Sequence, residues 1–552
     1  MKNGQKPSLS EPVFWLAVTL LILIAAGRIA STWSVFSEAF DEAPHIAAGM
    51  ECVQNGTYNY ERKHTPLARI AFALPLYLRG IRGTSFGDIN QITEEGHHIL
   101  YSGDYFTNLA WARSGNLPFF ILANVFLALW AKRWFGPWTA IAAVALFSGL
   151  PPILGHSGVA TTDLPAACGM VISCYAFCVW LEKPDLRRTV SLGLALAFGL
   201  LCKVSIAPFF ALGALLTLMF AWWRKLPVGF RAPVPIVTQI RNLAIGTAVA
   251  CLAIWAPYHF RMASISTGHG YRPAASGLSG RLLNLALDTK IPLGEFIGGL
   301  ASAATFNKFG YPVFFMGSAR QWGWWYYFPV MIGLKTPITF LILTLIGVGL
   351  SLKYLRSERW QRGVPFCFAS GTLLICMSSS LNLGVRYILP IYPLFALMAA
   401  QALVFLFEAP RRLMRGFGVL LVLAFAAESI AAHPDYLAYF NALAGPNPER
   451  IVVGTDLDWG QDLQRLSSRL KALGVDHLSI LYSGNSDLTR FSLPPFVEFG
   501  ADDHPTGWVA VSATRMMLDC AHDGKYCEWK DKRPRERIGK SIFLFYVVPD
   551  VK

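Results

Sequence analysis

The stretch from Val13 to Ala30 is apolar over the length needed to cross a bilayer, and comparable runs recur through most of the chain. A helix rises about 1.5 Å per residue, so about 20 apolar residues cover the roughly 30 Å hydrocarbon layer. Inside that layer every backbone polar group must be satisfied within the protein, which leaves little for such a chain except a helical bundle. Of the 552 residues, 54% are hydrophobic and 15% charged, where soluble domains carry about a quarter charged. The runs therefore read as many spans rather than one large core. No small-residue cleavage site of the A-x-A kind follows the first run, so it is expected to be a retained helix and not a signal peptide.

The formal charge of +14 does not point to nucleic acid, because the basic residues are placed in alternate short loops. They are Lys132 and Arg133; Arg187 and Arg188; Arg224 and Lys225; Lys353, Arg356, Arg359 and Arg362; and Arg411, Arg412 and Arg415. The loop 156–162 has none, and 380–386 has Arg386 alone. Basic loops stay on the cytoplasmic side. That gives about eleven spans, near 13–31, 117–135, 138–154, 164–181, 189–202, 206–223, 241–258, 330–352, 364–380, 387–407 and 416–432. The N-terminus is then inside and the C-terminus outside.

The expected fold is a polytopic α-helical membrane domain over 1–432, with long outer loops at about 32–116 and 259–329, followed by an outer domain over 433–552. In that last part Ile451–Val453, Leu478–Tyr482, Trp508–Val511 and Ile542–Val548 have strand character and Gln461–Leu473 has helical spacing, which predicts a small α/β domain. Cys520 and Cys527 lie close enough in sequence to bridge, and an outward, oxidising compartment permits it. The other cysteines lie mostly in or beside spans and read as packed thiols. No P-loop, GxGxxG fingerprint or metal-type CxxC pair occurs, so soluble nucleotide substrates are not indicated.

Chemistry collects on the outer face. Phe40–Gly49, FDEAPHIAAG, follows the first span and carries Asp41, Glu42 and His45. Asp41 could cap the helix that starts near Glu42. The continuation argues for more: His64-Thr65-Pro66-Leu67 precedes an apolar segment, Ala68–Leu78, too short to span and suited to the membrane surface. Thr161-Thr162-Asp163 opens the fourth span, where Asp163 is either a cap or a functional acid. Lys203 sits in the break between two short spans, able to snorkel or to hold a phosphate. Arg386, in Gly384-Val385-Arg386-Tyr387, is the second cation on this face. Trp322, Trp324, Trp325 and Tyr326 form an aromatic cluster that is either an interfacial belt or a stacking surface for sugar rings.

The order of these parts resembles the GT-C superfamily of polyprenyl-phosphate-sugar-dependent glycosyltransferases, closest to protein O-mannosyltransferases and the bacterial transferases that modify lipid A with aminoarabinose. Asp41-Glu42 followed by His64-Thr65-Pro66-Leu67 resembles the family's acidic pair and His/Lys-Pro-Pro-Leu element, departing at Thr65. Thr161-Thr162-Asp163-Leu164-Pro165, Leu201-Cys202-Lys203 and Gly384-Val385-Arg386-Tyr387 resemble further outer-face motifs. Asp456-Leu457-Asp458-Trp459-Gly460-Gln461-Asp462 resembles a stretch in bacterial members with an appended outer domain.

The resemblance implies a glycosyltransferase in the bacterial inner membrane, its site and outer domain facing the periplasm. It would move a hexose or pentose from a polyprenyl phosphate such as undecaprenyl phosphate to a hydroxyl on a protein, lipid or glycan, with inversion and without nucleic acid. Asp41 would be the base. Glu42 and Asp163 would orient hydroxyls, and Lys203 and Arg386 would hold the phosphate. His64 would bind phosphate, orient Asp41 or ligate a divalent metal ion. His45 and the four aromatic residues would contact sugar or acceptor. The rival reading is a lipid or solute transporter. Transporters place ionisable residues at the bilayer midplane, whereas here they sit at outer ends, with Glu428 as the nearest exception.

Overall fold

The computed structural model describes residues 9–224, 235–266, 277–357 and 359–548; Lys225, one of the basic-loop residues, lies outside them. Helices occupy all eleven expected positions. Eight are long and apolar enough to cross a membrane, among them Glu11–Ala30, Asp163–Glu182, Ile338–Leu355, Val385–Glu408 and Arg412–Ala431. Pro137–Gly149 and Pro151–Ser157 together form a ninth, bent by 64°. The bend falls at Leu150-Pro151, where a proline ring excludes the preceding helical turn.

The two remaining positions hold helices of 17 residues (Leu186–Cys202) and 14 residues (Val364–Met377), both short of a full span at about 1.5 Å per residue. The span expected at 330–352 is two helices, Tyr327–Lys335 and Ile338–Leu355, broken at Thr336-Pro337. Pro337 lacks the amide that would continue the ladder.

The basic turns gather at one end of the helical body. There Lys132 pairs with Glu11 at 2.5 Å, Arg133 pairs with Glu182 at 2.5 Å, and Arg362 donates to the Trp134 carbonyl at 2.8 Å. Both long loops and the C-terminal domain lie at the other end. In the first loop, Glu42–Asn55 and Pro66–Leu78 pack together so closely that a Cβ on Gly49 would meet the Arg69 carbonyl oxygen at 2.0 Å.

The C-terminal domain is built on a five-stranded mixed sheet ordered Phe496–Glu498, Leu478–Leu481, Gly507–Ser512, Ile542–Val547, Glu536–Ile538. The first two pairings are parallel and the last two antiparallel. Leu463–Leu473 is the expected helix, and Cys520 and Cys527 are bridged, with Cα atoms 4.8 Å apart. Ile451–Val453 is not a strand. Val452 makes a single antiparallel bridge to Phe315 of the second long loop, and Met316 donates to the Ile451 carbonyl at 2.7 Å. Its apolar alternation serves to dock the domain onto that loop.

Candidate active site

A cavity of about 730 Å³ opens where both loops, the helix ends and the C-terminal domain meet. Asp41, His45, Lys63, His64, Lys203 and Arg386 line it beside an apolar wall that includes Pro208, Leu300, Phe306 and Ile375. Asp41 precedes the Glu42–Asn55 helix but its side chain makes no cap bond. It pairs instead with Arg386 Nη1, 345 residues away in sequence, and is 28% exposed to the cavity. Burial alone would raise its carboxyl, but the Arg386 guanidinium beside it outweighs that and holds it below the ordinary aspartate range.

Asp163 is the first residue of its helix, one position past the Thr162 N-cap. Its carboxylate accepts from Lys203 Nζ at 2.5 Å and lies 3.8 Å from Arg386 Nη1. Lys203, Asp163, Arg386 and Asp41 thus form an alternating chain of charges along one wall. Arg386 is placed by its backbone. Gly384 sits at φ +79°, where a Cβ would meet Thr455 Oγ1 at 2.4 Å and the Asp456 carboxylate at 2.7 Å, so glycine alone fits. Asp456 in turn accepts the Val385 amide at 2.9 Å and the Tyr327 hydroxyl at 3.0 Å.

Glu42 does not reach the cavity. Its two oxygens take Arg113 Nε at 2.9 Å and Nη2 at 2.8 Å, the Ala160 amide at 2.7 Å and the Ala39 amide at 2.8 Å. The carboxylate therefore ties the first loop to the turn that carries Asp163. His45 accepts from the fully buried Arg69 at 3.0 Å. Burial, reinforced by that guanidinium, pushes its imidazole down to about 3, so it is neutral at physiological pH. His64 packs edge-on to it at 5.0 Å, and burial holds it well below the ordinary histidine range too. Of the aromatic cluster, Trp322 and Trp325 are 65% exposed. Trp324 is buried against Phe315, and none of these, nor Tyr326, lines the cavity; Tyr327 does.

Among the described residues no group of three His, Cys, Asp or Glu side chains is arranged to hold a metal ion. The acids Asp41 and Asp163 are ion-paired with Arg386 and Lys203. The donor set does not fit a metal, and no step is routed through one.

Sequence reasoning missed the contribution of the C-terminal domain. Its Trp459 ring lies 4.5 Å beneath the Arg386 guanidinium. The Trp459 carbonyl accepts the Phe40 amide at 3.0 Å, and the Gln461 carbonyl accepts the Ser37 amide at 3.1 Å. The loop Asp456–Asp462 therefore clasps the chain just before Asp41, and Asp458, Trp459, Ser483 and Thr514 line the cavity. Burial pushes the Asp458 carboxyl up to about 7. Lys63, Arg69 and Arg113 were missed as well. Lys63 and Arg69 flank His64-Thr65-Pro66-Leu67 in sequence, whereas Arg113 is 71 positions from Glu42 and nothing in the sequence marked it.

This fold matches solved structures, and residues 112–256 match the family model described as dolichyl-phosphate-mannose-protein mannosyltransferase. The family model covers part of the chain, and the likeness to the solved structures is one of fold. The oligosaccharyltransferase of Archaeoglobus fulgidus, in complex with zinc and sulfate, aligns with a TM-score of 0.50 at 12% identity, covering 92% of this chain and 70% of that one. The same enzyme tethered to an acceptor peptide aligns at 0.50 and 11% identity, over 92% and 71%. ArnT from Cupriavidus metallidurans bound to undecaprenyl phosphate aligns at 0.48 and 16% identity, over 78% and 67%. No curated protein sequence gives a significant match.

Proposed function

We propose that the protein transfers a sugar from a polyprenyl-phosphate donor to an acceptor hydroxyl at the outer membrane face, inverting the anomeric centre. The observation that carries this reading is the cavity itself, where one accessible carboxylate and the cations Lys203 and Arg386 line a space with an apolar side wall. An anionic headgroup on a lipid chain needs that combination. The matched family model is named for a dolichyl-phosphate-linked sugar and a protein acceptor, which agrees with it. A transporter would instead carry its ionisable groups at mid-membrane depth.

The chain's own residues divide the work. The charges in the row Lys203, Asp163, Arg386, Asp41 balance, so an arriving phosphate competes with Asp41 for the Arg386 guanidinium, which suits a bidentate anion. Asp41 is then released as an ionised carboxylate, and its basicity rises toward the ordinary aspartate value as its counter-charge is shared. It removes the acceptor hydroxyl's proton while that oxygen attacks the anomeric carbon. The bond to the phosphate oxygen breaks, and Lys203 and Arg386 take the charge that develops there.

Glu42 and Asp163 are spent on the structure around this chemistry, the first bracing the loop and the second holding both cations. One displacement with one base inverts the centre. His45, kept neutral by burial and by Arg69, contacts the sugar or acceptor, and His64, packed on it, faces the donor phosphate. The Cys520–Cys527 bridge suits an oxidising, outward compartment.

The test is transfer by purified protein from polyprenyl phosphates carrying radiolabelled sugars, with released polyprenyl phosphate and product anomer both measured. Stoichiometric release with an inverted product supports the reading. Lipid movement across vesicles without sugar release sinks it in favour of a transporter.

A further inference from the structure

Among the residues that line the cavity, one buried carboxylate oxygen has no hydrogen-bond partner, and it belongs to the C-terminal domain. Asp458 is 2% exposed, and Oδ2 accepts the Thr514 amide at 2.8 Å, but Oδ1 is buried with no protein partner. Thr514 is itself fixed, its hydroxyl donating to the Asp458 carbonyl at 3.2 Å and accepting the Gly454 amide at 3.1 Å. Asp458 is thus held rigidly with one acceptor oxygen left over, and it lines the cavity.

A buried carboxylate oxygen without a donor costs more than an ordinary hydrogen bond returns, so such an atom is retained where something else satisfies it. The next residue, Trp459, carries the guanidinium of Arg386 on its ring at 4.5 Å. The empty acceptor is therefore next in sequence to the ring on which the phosphate-holding guanidinium rests, and both residues line the same cavity. What lies next to a donor phosphate is the sugar bonded to it.

We infer that Asp458 Oδ1 accepts a hydrogen bond from a hydroxyl of the donor sugar, making the C-terminal domain a direct part of the sugar subsite. This rests on the lipid-phosphate-sugar reading above and deepens it. The outer domain then does more than brace the loops: it distinguishes a sugar-bearing lipid phosphate from the bare one. Burial pushes this carboxyl up to about 7, so binding is measured at about pH 8, where the ionised group accepts from a hydroxyl and repels a second phosphate.

Binding to purified protein in detergent separates the possibilities. The probes are polyprenyl phosphate and a panel of the same lipid carrying mannose, glucose, galactose or arabinose. Wild type should bind at least one sugar-bearing lipid more tightly than the bare one. Asp458→Ala should lose about tenfold or more of that gain, the worth of one hydrogen bond to a charged group, and bind bare polyprenyl phosphate as wild type does. Asp458→Asn keeps the Thr514 contact through its carbonyl and turns an NH2 toward the cavity, so it should fold normally and lose the gain as well.

A wild type that gains from no sugar in the panel overturns the proposal. So does an Asp458→Asn variant that keeps the full gain. Failure of wild type to bind either kind of lipid would instead be failure of the lipid-phosphate reading. If Asp458→Ala does not fold, the Asn variant decides alone.

Discussion

Asp41 and Glu42 are neighbours in sequence with opposite fates, and the difference lies in their partners. Glu42 has four donors and is buried, so Glu42→Ala leaves the buried Arg113 guanidinium with backbone carbonyls but no counter-charge. The expected cost is about 3–5 kcal/mol, the usual result of breaking a buried pair, seen as a large fall in thermal stability. Asp458 gives a pH-dependent case. Its carboxyl rises from 3.8 to about 7 on folding, so the folded state holds a proton that the unfolded state has released over that window. Stability from this group is complete below about pH 4 and lost as pH approaches 7. Asp458→Asn should therefore match wild type near pH 4 and become progressively more stable than it toward pH 7. Parallel melting curves across that range would contradict the assignment.

At the scale of elements, the turn that presents Arg386 depends on a residue without a side chain. Gly384→Ala should force a Cβ into Thr455 and Asp456 at a positive φ, which costs about 1–3 kcal/mol. Because Arg386 is displaced with the turn, the donor KM should rise more than stability alone explains. An unchanged KM in a folded variant would show that the turn does not position the cation.

The same element shows what sequence can and cannot convey. Asp41, Asp163, Lys203 and Arg386 were legible because each sits at the edge of an apolar run, where a charge stands out against the background. Their pairing was not, because it joins residues from 40 to 345 positions apart. The capping interpretation of Asp41 rested on local pattern alone, and a longer-range ion pair with Arg386 overrides it. The aromatic cluster after Gln321 failed to reach the cavity for a related reason, since a run of rings has several apolar surfaces to choose from. Trp459 belonged to a stretch already singled out, yet only the fold shows it under Arg386. The break at Thr336-Pro337 was readable from the proline but was submerged in a long apolar run.

For the whole molecule, the basic turns at one end and the cavity at the other predict that the Arg412–Ala431 helix crosses the membrane. Reporter fusions after Arg412 and after Leu443 should give signals from opposite sides, and equal signals would break the topology on which the site depends. With that arrangement the cavity faces outward and takes a lipid-bound donor from the bilayer and an acceptor from outside. The account stands or falls on whether the exposed carboxylate drives that transfer.

Its most direct test is the turnover of Asp41→Asn beside wild type, with purified protein and a polyprenyl-phosphate sugar that wild type accepts. Asp41 makes no cap bond and is partly exposed, and Arg386 keeps Asp163 at 3.8 Å, so folding and insertion should be unaffected. Turnover should fall by about two to four orders of magnitude, the worth of a positioned general base. Near-normal turnover by a well-folded Asp41→Asn protein would contradict the account and leave Asp41 as no more than a partner for Arg386.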